Sequence, residues 1–158
     1  MTGPPPCKIP EWKTSASPVI VRAEEPDPTE GPKVIHPPHQ GTVFRISEIA
    51  PETEAIRNID PAKAKEVFKA MGAENASTFG KNQRHPFMHR TETVDYAVVL
   101  EGEVVLLLDE DEVHLKAGDV VIQRGTNHAW SNRSDKPVKM LYVLVDGEFD
   151  ADLKAKLP

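Results

Sequence analysis

The sequence has little cysteine, few aromatic residues and no long apolar run. A single cysteine, Cys7, stands among 158 residues, so the chain cannot form an internal disulfide and nothing indicates an oxidising compartment. No apolar stretch is long enough to cross a bilayer. The opening residues, MTGPPPCKIPEW, lack the apolar centre of a signal peptide. We therefore expect a cytoplasmic protein with no membrane partner.

The chain also has fewer basic residues than acidic residues. Nineteen lysines and arginines stand against 25 aspartates and glutamates, which gives a net charge of −6. The basic residues are scattered along the chain, whereas a phosphate backbone requires a basic face on its protein partner. The composition therefore argues against nucleic acid as a partner.

Proline is abundant, and its distribution divides the chain. Ten of the fifteen prolines lie in residues 1–40. Because proline fixes φ and has no backbone N–H, that segment cannot form a helix. We predict an extended proline-rich arm over residues 1–41 and one compact domain over residues 42–158, a length that fits a single core.

One helix is marked by its own boundary residues. Asp60 is a favourable N-cap, Pro61 suits the first helical position, and Gly72 suits the left-handed conformation that ends a helix. Apolar residues recur between them at helical spacing, which predicts one buried stripe on the helix surface. The stripe consists of Ala64, Val67, Phe68 and Met71. A second, short helix is expected within residues 148–157.

The rest of the chain alternates short strands with turns. The strand segments are rich in Val, Leu, Ile and Tyr, and clusters of Gly, Asp, Ser and Pro separate them. Strands are predicted from residue 85 onward and at 43–49, 93–100, 103–108, 113–116, 119–123, 127–132 and 138–145. This number of strands at hairpin spacing indicates an all-β fold, an antiparallel barrel or jelly roll.

Candidate metal ligands cluster in the strand region. Alternate residues of a strand share a face, so His85, His89 and Thr91 are expected to project together. If residues 85–91 form a hairpin with the next strand, His89 and Asp95 lie near one level of the barrel. A later strand places three further candidates on one face, His128, Trp130 and Asn132.

Two segments resemble the motifs of the cupin family. HRTETVDYAVVLEG, residues 89–102, resembles the first motif, in which His-x-His is followed by a glutamate and a glycine. GDVVIQRGTNHAWSN, residues 118–132, resembles the second motif, with Gln123 where the family usually has proline. The first segment is most similar to a subgroup of small bacterial and fungal cupins. With flanking strands, the resemblance extends over most of residues 42–146.

The resemblance implies one divalent metal ion inside the barrel, held by His89, Asp95 and His128. Thr91 stands where the family has its second histidine, and Asp95 replaces the longer glutamate. Two imidazoles and one carboxylate form the set that binds Fe(II) with open positions; zinc, manganese, nickel or copper would also be accepted. Because a hydroxyl is a poor ligand, Thr91 leaves two outcomes open: an extra open position on the metal, or an affinity too low for occupancy.

The expected function is a metal-dependent enzyme that acts on a small carbonyl- or carboxylate-bearing molecule. A bound metal would support a lyase reaction, such as decarboxylation or dehydration, or a dioxygenase reaction. In the lyase case His85 is the expected base, since imidazole exchanges protons near neutral pH. The alternatives are a binding module without turnover, and a metal-free isomerase in which His89 or His128 is the base.

Four residues are candidates for substrate contact, and each also has a structural interpretation. Asn132 could equally fix the following turn, and Trp130 could equally belong to the core. The remaining candidates are Thr91 and Tyr142. A second copy of the chain is the expected protein partner, because apolar residues of the arm could add to an exposed sheet edge and support a homodimer.

Overall fold

The computed structural model describes residues 11–24, 34–80 and 84–157. Its elements, in chain order, are β1 (Glu11–Thr14), β2 (Thr42–Ile49), α1 (Glu54–Arg57), α2 (Pro61–Ala70), β3 (Thr93–Glu101), β4 (Glu103–Leu107), β5 (Glu112–Lys116), β6 (Val120–Arg124), β7 (Ala129–Ser131), β8 (Val138–Asp146) and α3 (Ala151–Lys154). No helix among these residues is both long enough and apolar enough to span a membrane.

The strands form two antiparallel sheets. One has five strands in the order β1-β2-β8-β3-β6, and the other has three in the order β5-β4-β7. Every strand pair in both sheets is antiparallel. The predicted all-β jelly-roll class is confirmed.

The main core lies where the inner faces of the two sheets meet. The five-stranded sheet contributes Val43, Ala97, Val99, Val138, Met140 and Leu144, and the three-stranded sheet contributes Val104, Leu106 and Leu115. Strand β4 is buried on both faces, because Val105 and Leu107 pack outward against Met88 and Ala129. Residues around Met88 are thereby held against the smaller sheet.

Helix α2 begins and ends where the sequence predicts. The side chain of Asp60 accepts a hydrogen bond from the Lys63 N–H at 3.0 Å, and Gly72 adopts a φ of 69°, a conformation that favours glycine. Phe68 is only 2% exposed and packs on Ile35, Ala73 and Ala76. Ala64 is buried as well, whereas Val67, which was predicted on the buried stripe, is 37% exposed. The helix is therefore fixed by the packing of part of its apolar stripe rather than by propensity alone.

The predicted strand at residues 85–91 is wrong. This segment makes only isolated bridges, from His89 to Ser77 and from His89 to His128. Pro86 has no backbone N–H to donate to a ladder, and Phe87 donates its N–H to the ring of His85 instead. The segment is irregular, although its alternate side chains still face one cavity, as described below.

The sequence analysis did not predict strand β1 or helix α1, but it did predict helix α3. Residues 11–14 form β1, which pairs with β2 of the same chain. The side chain of Thr53 accepts a hydrogen bond from the Ile56 N–H and caps the short helix α1. The expected short helix in the tail is present as α3.

The outer face of the five-stranded sheet carries an apolar row that crosses every strand. Each member is the cross-strand neighbour of the next, in the order Trp12, Phe44, Val143, Tyr96 and Ile122. Four of them, all except Val143, are between 41% and 63% exposed. A contiguous apolar patch of this kind often marks a protein–protein contact.

The expected homodimer remains a prediction, and this row is the surface on which to test it. We expect the chain to self-associate and Tyr96→Glu, at the centre of the row, to shift it toward monomer, because a buried unpaired carboxylate is costly. Sedimentation equilibrium measures the change. The matched control is Lys116→Glu on β5, which adds a carboxylate away from the row. A monomeric wild-type chain at high protein concentration would contradict the prediction.

Candidate functional site

A cavity of about 460 Å³ is bounded by both sheets and by helices α1 and α2. Most of its wall is apolar and includes Ile35, Ile49, Ile56, Phe68, Met71, Phe87, Trp130 and Leu144. The polar side chains that reach it include Arg45, Glu52, His85, His89, Thr91, Asp95, Gln123, His128 and Tyr142. A largely apolar cavity with a few convergent polar groups is the usual form of a small-molecule site.

Two histidines lie side by side on one wall. The His89 N–H donates to the His128 carbonyl and the His128 N–H donates to the His89 carbonyl, both at 2.9 Å. This reciprocal backbone bridge aligns the two side chains, and their ring centroids are 4.2 Å apart. The ring of Phe68 lies 5.3 Å from that of His89 and closes one side of the pair.

Backbone carbonyls fix the tautomer of both rings. Nδ1 of His89 lies 2.9 Å from the Phe87 carbonyl, and Nδ1 of His128 lies 2.8 Å from the Thr126 carbonyl. A carbonyl oxygen only accepts, so each Nδ1 carries a proton and each Nε2 carries a lone pair in the neutral ring. Within the described ranges, neither Nε2 has a hydrogen-bond partner. The pair thus offers two free nitrogen donors to the cavity.

Burial keeps both rings neutral. It lowers the pKa of His128 from its usual 6.5 to about 3, with a smaller contribution from His89. Burial also lowers the pKa of His89, and the positive charge of Arg45 adds to this effect.

The ring of His128 should therefore remain unprotonated in the folded protein. We expect its ring C–H signals to show no protonation shift between about pH 8 and about pH 4, because the charged form loses its hydration inside the cavity. A two-dimensional NMR titration of the imidazole protons measures this, with His128→Gln used to assign the signal. A midpoint near pH 6.5 would contradict the structure.

Asp95 lines the same cavity but lies on the five-stranded sheet, whereas His89 and His128 meet in an isolated bridge outside the strands. It lies on β3, with Gln123 and Leu144 as cross-strand neighbours. The predicted hairpin between residues 85–91 and β3 is wrong, because the backbone partners of His89 are Ser77 and His128. Burial raises the pKa of Asp95, and interaction with the Thr93 side chain partly offsets this. Its Oδ1 is buried without a hydrogen-bond partner.

Thr91 is engaged with a neighbouring hydroxyl. Its Oγ1 lies 2.7 Å from Oγ1 of Thr93, and its side chain reaches the cavity. The position that the family resemblance associates with a second histidine is therefore occupied by one member of a buried hydroxyl pair. No third imidazole takes its place near His89 and His128 within the described part of the chain.

The donor set fits a metal ion in part. The His89–His128 pair supplies two neutral nitrogen ligands with defined tautomers, and Asp95, which lines the same cavity, has a buried carboxylate oxygen without a hydrogen-bond partner. Residues 11–24, 34–80 and 84–157 nevertheless contain no group of three or more His, Cys, Asp or Glu side chains arranged to hold a metal ion. The side-chain types of the three predicted ligands suit a metal ion, but their positions in the structure supply only two ligands of a metal site.

His85 does not have a free nitrogen, so its predicted role as catalytic base is not supported by its geometry. Its Nε2 lies 2.8 Å from Oε1 of Glu52, and its Nδ1 accepts the Phe87 N–H at 3.1 Å. Because Nδ1 accepts, the proton of the neutral ring resides on Nε2 and is donated to Glu52. His85 therefore joins the loop before α1 to the segment that carries His89.

The polar cavity residues that sequence reasoning missed include Arg45, Glu52 and Gln123. Arg45 could have been found, because it alternates with the buried Val43 on β2 and so shares its inward face. Its Nη1 donates to the Val34 carbonyl at 2.9 Å and lies 3.7 Å from Oε2 of Glu11. Glu52 lies in a loop without periodicity, and only tertiary contacts bring it to His85.

Trp130 and Tyr142 both reach the cavity, as predicted for substrate-contacting residues, although no ligand tests that role. Their ring centroids are 5.6 Å apart in an edge-on arrangement, and the guanidinium of Arg45 lies 5.7 Å from the Tyr142 ring centroid. Burial raises the pKa of the Tyr142 phenol, so this group remains a neutral hydroxyl.

Asn132, the fourth predicted substrate contact, is not brought into the cavity. Its amide nitrogen donates to the carbonyls of Ile49 and Lys136, each at 2.8 Å. Its amide oxygen accepts from the N–H and the hydroxyl of Ser134. With its side chain fully buried and engaged in this way, Asn132 holds the turn before β8 against the end of β2.

Replacing Asn132 should therefore destabilise the fold. For Asn132→Ala we expect a loss of about 2–4 kcal/mol in the free energy of unfolding, because buried carbonyls and an N–H are left unpaired. Urea denaturation measures the loss. Asn75→Ala, at an exposed position, is the control and should change the unfolding free energy by less than about 0.5 kcal/mol. An equally small effect at Asn132 would refute this structural role.

The comparison with known families agrees with this architecture. Residues 77–144, which contain both histidines of the pair and Asp95, match the family model of the cupin domain. The matched segment, less than half of the chain, is therefore similar to a cupin domain. Cupins often bind a metal ion, whereas residues 11–24, 34–80 and 84–157 of this chain show no complete metal site.

The relatives with curated names are fungal proteins. Over 63 residues, the chain is 65% identical to "Phomopsin biosynthesis cluster protein C'" of Diaporthe leptostromiformis, a match that covers 39% of this chain and 33% of that protein. Over 108 residues, it is 34% identical to "Cupin-domain-containing oxidoreductase srdD" of Neurospora crassa, covering 63% of this chain and 55% of that protein. The matches thus span a third to about half of these relatives.

Solved structures show only a loose likeness. A cupin 2 conserved barrel domain protein from Salinispora arenicola has a TM-score of 0.39 and 17% sequence identity, covering 73% of this chain and 67% of that protein. This degree of similarity adds nothing to the assignment of a reaction.

Proposed function

We propose that this protein is an enzyme that binds a small organic molecule bearing a carbonyl or carboxylate group and transforms it beside the His89–His128 pair. The observation that carries the proposal is the pair itself, with two Nε2 lone pairs directed by reciprocal backbone bonds toward an apolar cavity. A merely structural histidine usually has both nitrogens satisfied, as His85 does here. Two adjacent imidazole nitrogens without hydrogen-bond partners, on the wall of an apolar cavity, support a role in catalysis.

The guanidinium of Arg45 supports a substrate with an oxygen anion or a polarised carbonyl, although the Glu11 carboxylate lies 3.7 Å from it and Glu52 and Asp95 line the same cavity. Arg45 lines the wall close to the ring of Tyr142, and its charge acts on both His89 and Asp95. In an apolar cavity such a charge favours a carboxylate or an enolate more strongly than it would in water. The apolar remainder of the wall would hold the carbon skeleton and exclude water.

The metal-dependent form of the proposal assigns His89 and His128 as two ligands of one divalent ion and Asp95 as the carboxylate ligand. Such an ion would polarise the substrate oxygen and, as Fe(II), would also permit reaction with dioxygen. The chain's own residues position the imidazoles through Phe87 and Thr126 and hold the substrate near Arg45. Relatives named cupin-domain-containing oxidoreductases favour oxidation over the lyase alternative.

A metal-free isomerase is the second candidate, and one observation favours it. Thr91 is hydrogen-bonded to Thr93, and no third ligand stands with the histidine pair in the described ranges. In this case Nε2 of His89 or His128 would take a proton from the carbon next to a carbonyl, and the charge of Arg45 would stabilise the resulting enolate. A binding module without turnover would use the same cavity but leave its ligand unchanged.

Metal content distinguishes these candidates. For the metal-dependent form we expect purified protein, incubated with Fe(II) without oxygen and then desalted, to retain about one ion per chain, measured by elemental analysis. His128→Gln should retain less than about a tenth of that amount, because it removes one of only two imidazole ligands. His114→Gln, at an exposed histidine on β5, is the matched control. Equal retention by wild type and His128→Gln would overturn the assigned ligands.

Turnover tests the enzyme proposal itself. Three probes that carry carbonyl or enol-like hydroxyl groups, acetoacetate, acetylacetone and catechol, are incubated with and without Fe(II), while oxygen consumption and CO₂ release are recorded. Oxygen uptake supports an oxidoreductase, CO₂ release without oxygen uptake supports a lyase, and metal-independent exchange of the acetylacetone C–H protons supports proton abstraction. His128→Gln should reduce the observed rate by at least about 100-fold. Unchanged probes in every arm would contradict catalysis on this class of molecule.

A further inference from the structure

Glu52 carries a largely buried carboxylate with a hydrogen bond to only one of its oxygens. The side chain is 8% exposed, and Oε1 lies 2.8 Å from Nε2 of His85, which donates to it. No residue within 11–24, 34–80 and 84–157 donates to Oε2. Unlike Oδ1 of Asp95, Oε2 retains accessible surface, and Glu52 lines the cavity. One oxygen of this carboxylate is therefore available to a ligand.

His85 orients this carboxylate but does not neutralise its charge. Nδ1 of His85 accepts the Phe87 N–H at 3.1 Å, so the ring carries a single proton and is neutral. The charge of Glu52 acts on Arg133, but that guanidinium donates to both oxygens of Glu112, at 3.1 and 2.8 Å. A carboxylate removed from water is costly unless a cation or several donors compensate it. A single neutral donor leaves this compensation incomplete.

Backbone contacts fix the loop that carries Glu52. The Glu52 N–H donates to the Asn132 carbonyl at 2.9 Å, and the Asn132 side chain donates to the Ile49 carbonyl at 2.8 Å. Glu52 is therefore held close to the end of β2. Because both its backbone and its carboxylate are anchored, little ordering is required when a ligand binds.

The guanidinium of Arg45 reaches the same cavity from an earlier part of β2. Arg45, Ser47 and Ile49 alternate along the strand, and all three line the cavity. At about 3.4 Å per residue, the backbone of Arg45 lies roughly 14 Å from that of Ile49, the residue beside which Glu52 is held. The cavity thus carries a positive group and a negative group that are anchored at well-separated positions.

We infer that Glu52 recognises a protonated amine, so that the molecule bound in this cavity carries an ammonium group remote from its carbonyl or carboxylate. Oε2 accepts from the ammonium, while Oε1 remains bonded to His85. A neutral hydroxyl would form a weaker hydrogen bond, since it brings no charge to compensate the carboxylate. The inference rests on the proposed function of the cavity as the substrate site, and it narrows the substrate class to amines that also bear an oxygen function.

Three probes of similar shape test the carboxylate without any turnover. Benzylamine carries an ammonium at neutral pH, benzyl alcohol carries a neutral hydroxyl, and ethylbenzene carries neither group. We expect wild-type protein to bind benzylamine at least about tenfold more tightly than ethylbenzene, with benzyl alcohol between them, because hydrogen bonds between charged groups are stronger than neutral ones. Protein-observed NMR titration without added metal gives the three dissociation constants.

Glu52→Gln removes the charge and keeps an oxygen that can accept from His85. In this variant benzylamine should no longer bind more tightly than benzyl alcohol, because both probes then meet a neutral amide. Glu54→Gln makes the same change at an exposed position on α1. It is the matched control and should keep the wild-type order of affinities. Thermal unfolding checks that both variants are folded.

Several results would overturn this inference. Equal affinity of the wild-type protein for benzylamine and ethylbenzene would do so, even if Glu52→Gln fails to fold. A preference for the amine that persists in folded Glu52→Gln would assign it to another carboxylate, such as Glu48, which also lines the cavity. A similar loss in Glu54→Gln would show that overall charge sets the preference.

These measurements involve no turnover, so the enzyme proposal stands or fails separately. Selective binding of benzylamine through Glu52, in a protein that leaves every carbonyl and enol probe unchanged, would support the ammonium site and contradict catalysis. Turnover of those probes without any preference for benzylamine would support the enzyme and refute the ammonium site.

Discussion

The site depends on the reciprocal backbone bridge between His89 and His128. Each residue donates its N–H to the other's carbonyl, and this exchange places two side chains on the same side of two segments that lie far apart in the sequence. The neighbouring carbonyls of Phe87 and Thr126 then fix the proton on Nδ1 of each ring. Backbone geometry thus determines where the imidazoles lie and which nitrogen faces the cavity. Neither property requires a metal ion to impose it.

The opposite wall follows from the register of the larger sheet. Strand β3 has β6 on one side and β8 on the other, so Asp95 has Gln123 and Leu144 as neighbours rather than the residues of the first motif. The cavity is therefore lined by the histidine pair and also by Asp95 and Gln123. Arg45, on the inward face of β2, adds positive charge beside them. The histidine pair is held by an isolated backbone bridge and Asp95 by strand β3, so no single element positions all three predicted metal ligands.

Much of the fold was predictable because its signals are local. Asp60, Pro61 and Gly72 mark the ends of α2 through capping and backbone conformation, which involve only nearby residues. Alternation along β3 and β8 identifies which residues face inward, and the predicted strands there end within a residue or two of the observed bounds. The prediction of a strand around Pro86 was wrong for the opposite reason. Its bonding partners, Ser77 and His128, are distant in sequence and leave no local pattern.

The sequence by itself determined the all-β architecture, the boundaries of α2 and many of the residues able to carry chemistry, because periodicity, capping and side-chain type are properties of neighbouring residues. Only the tertiary structure determined which of those residues meet. It brought His89 next to His128 and gave both ring nitrogens of His85 hydrogen-bond partners, Glu52 and Phe87. It also placed the side chain of Asn132 in a turn rather than in the cavity. It also left Gln123 and Asp95 unpaired at one cavity. Each of these outcomes depends on contacts between separate segments, and such contacts are fixed only when the two sheets pack.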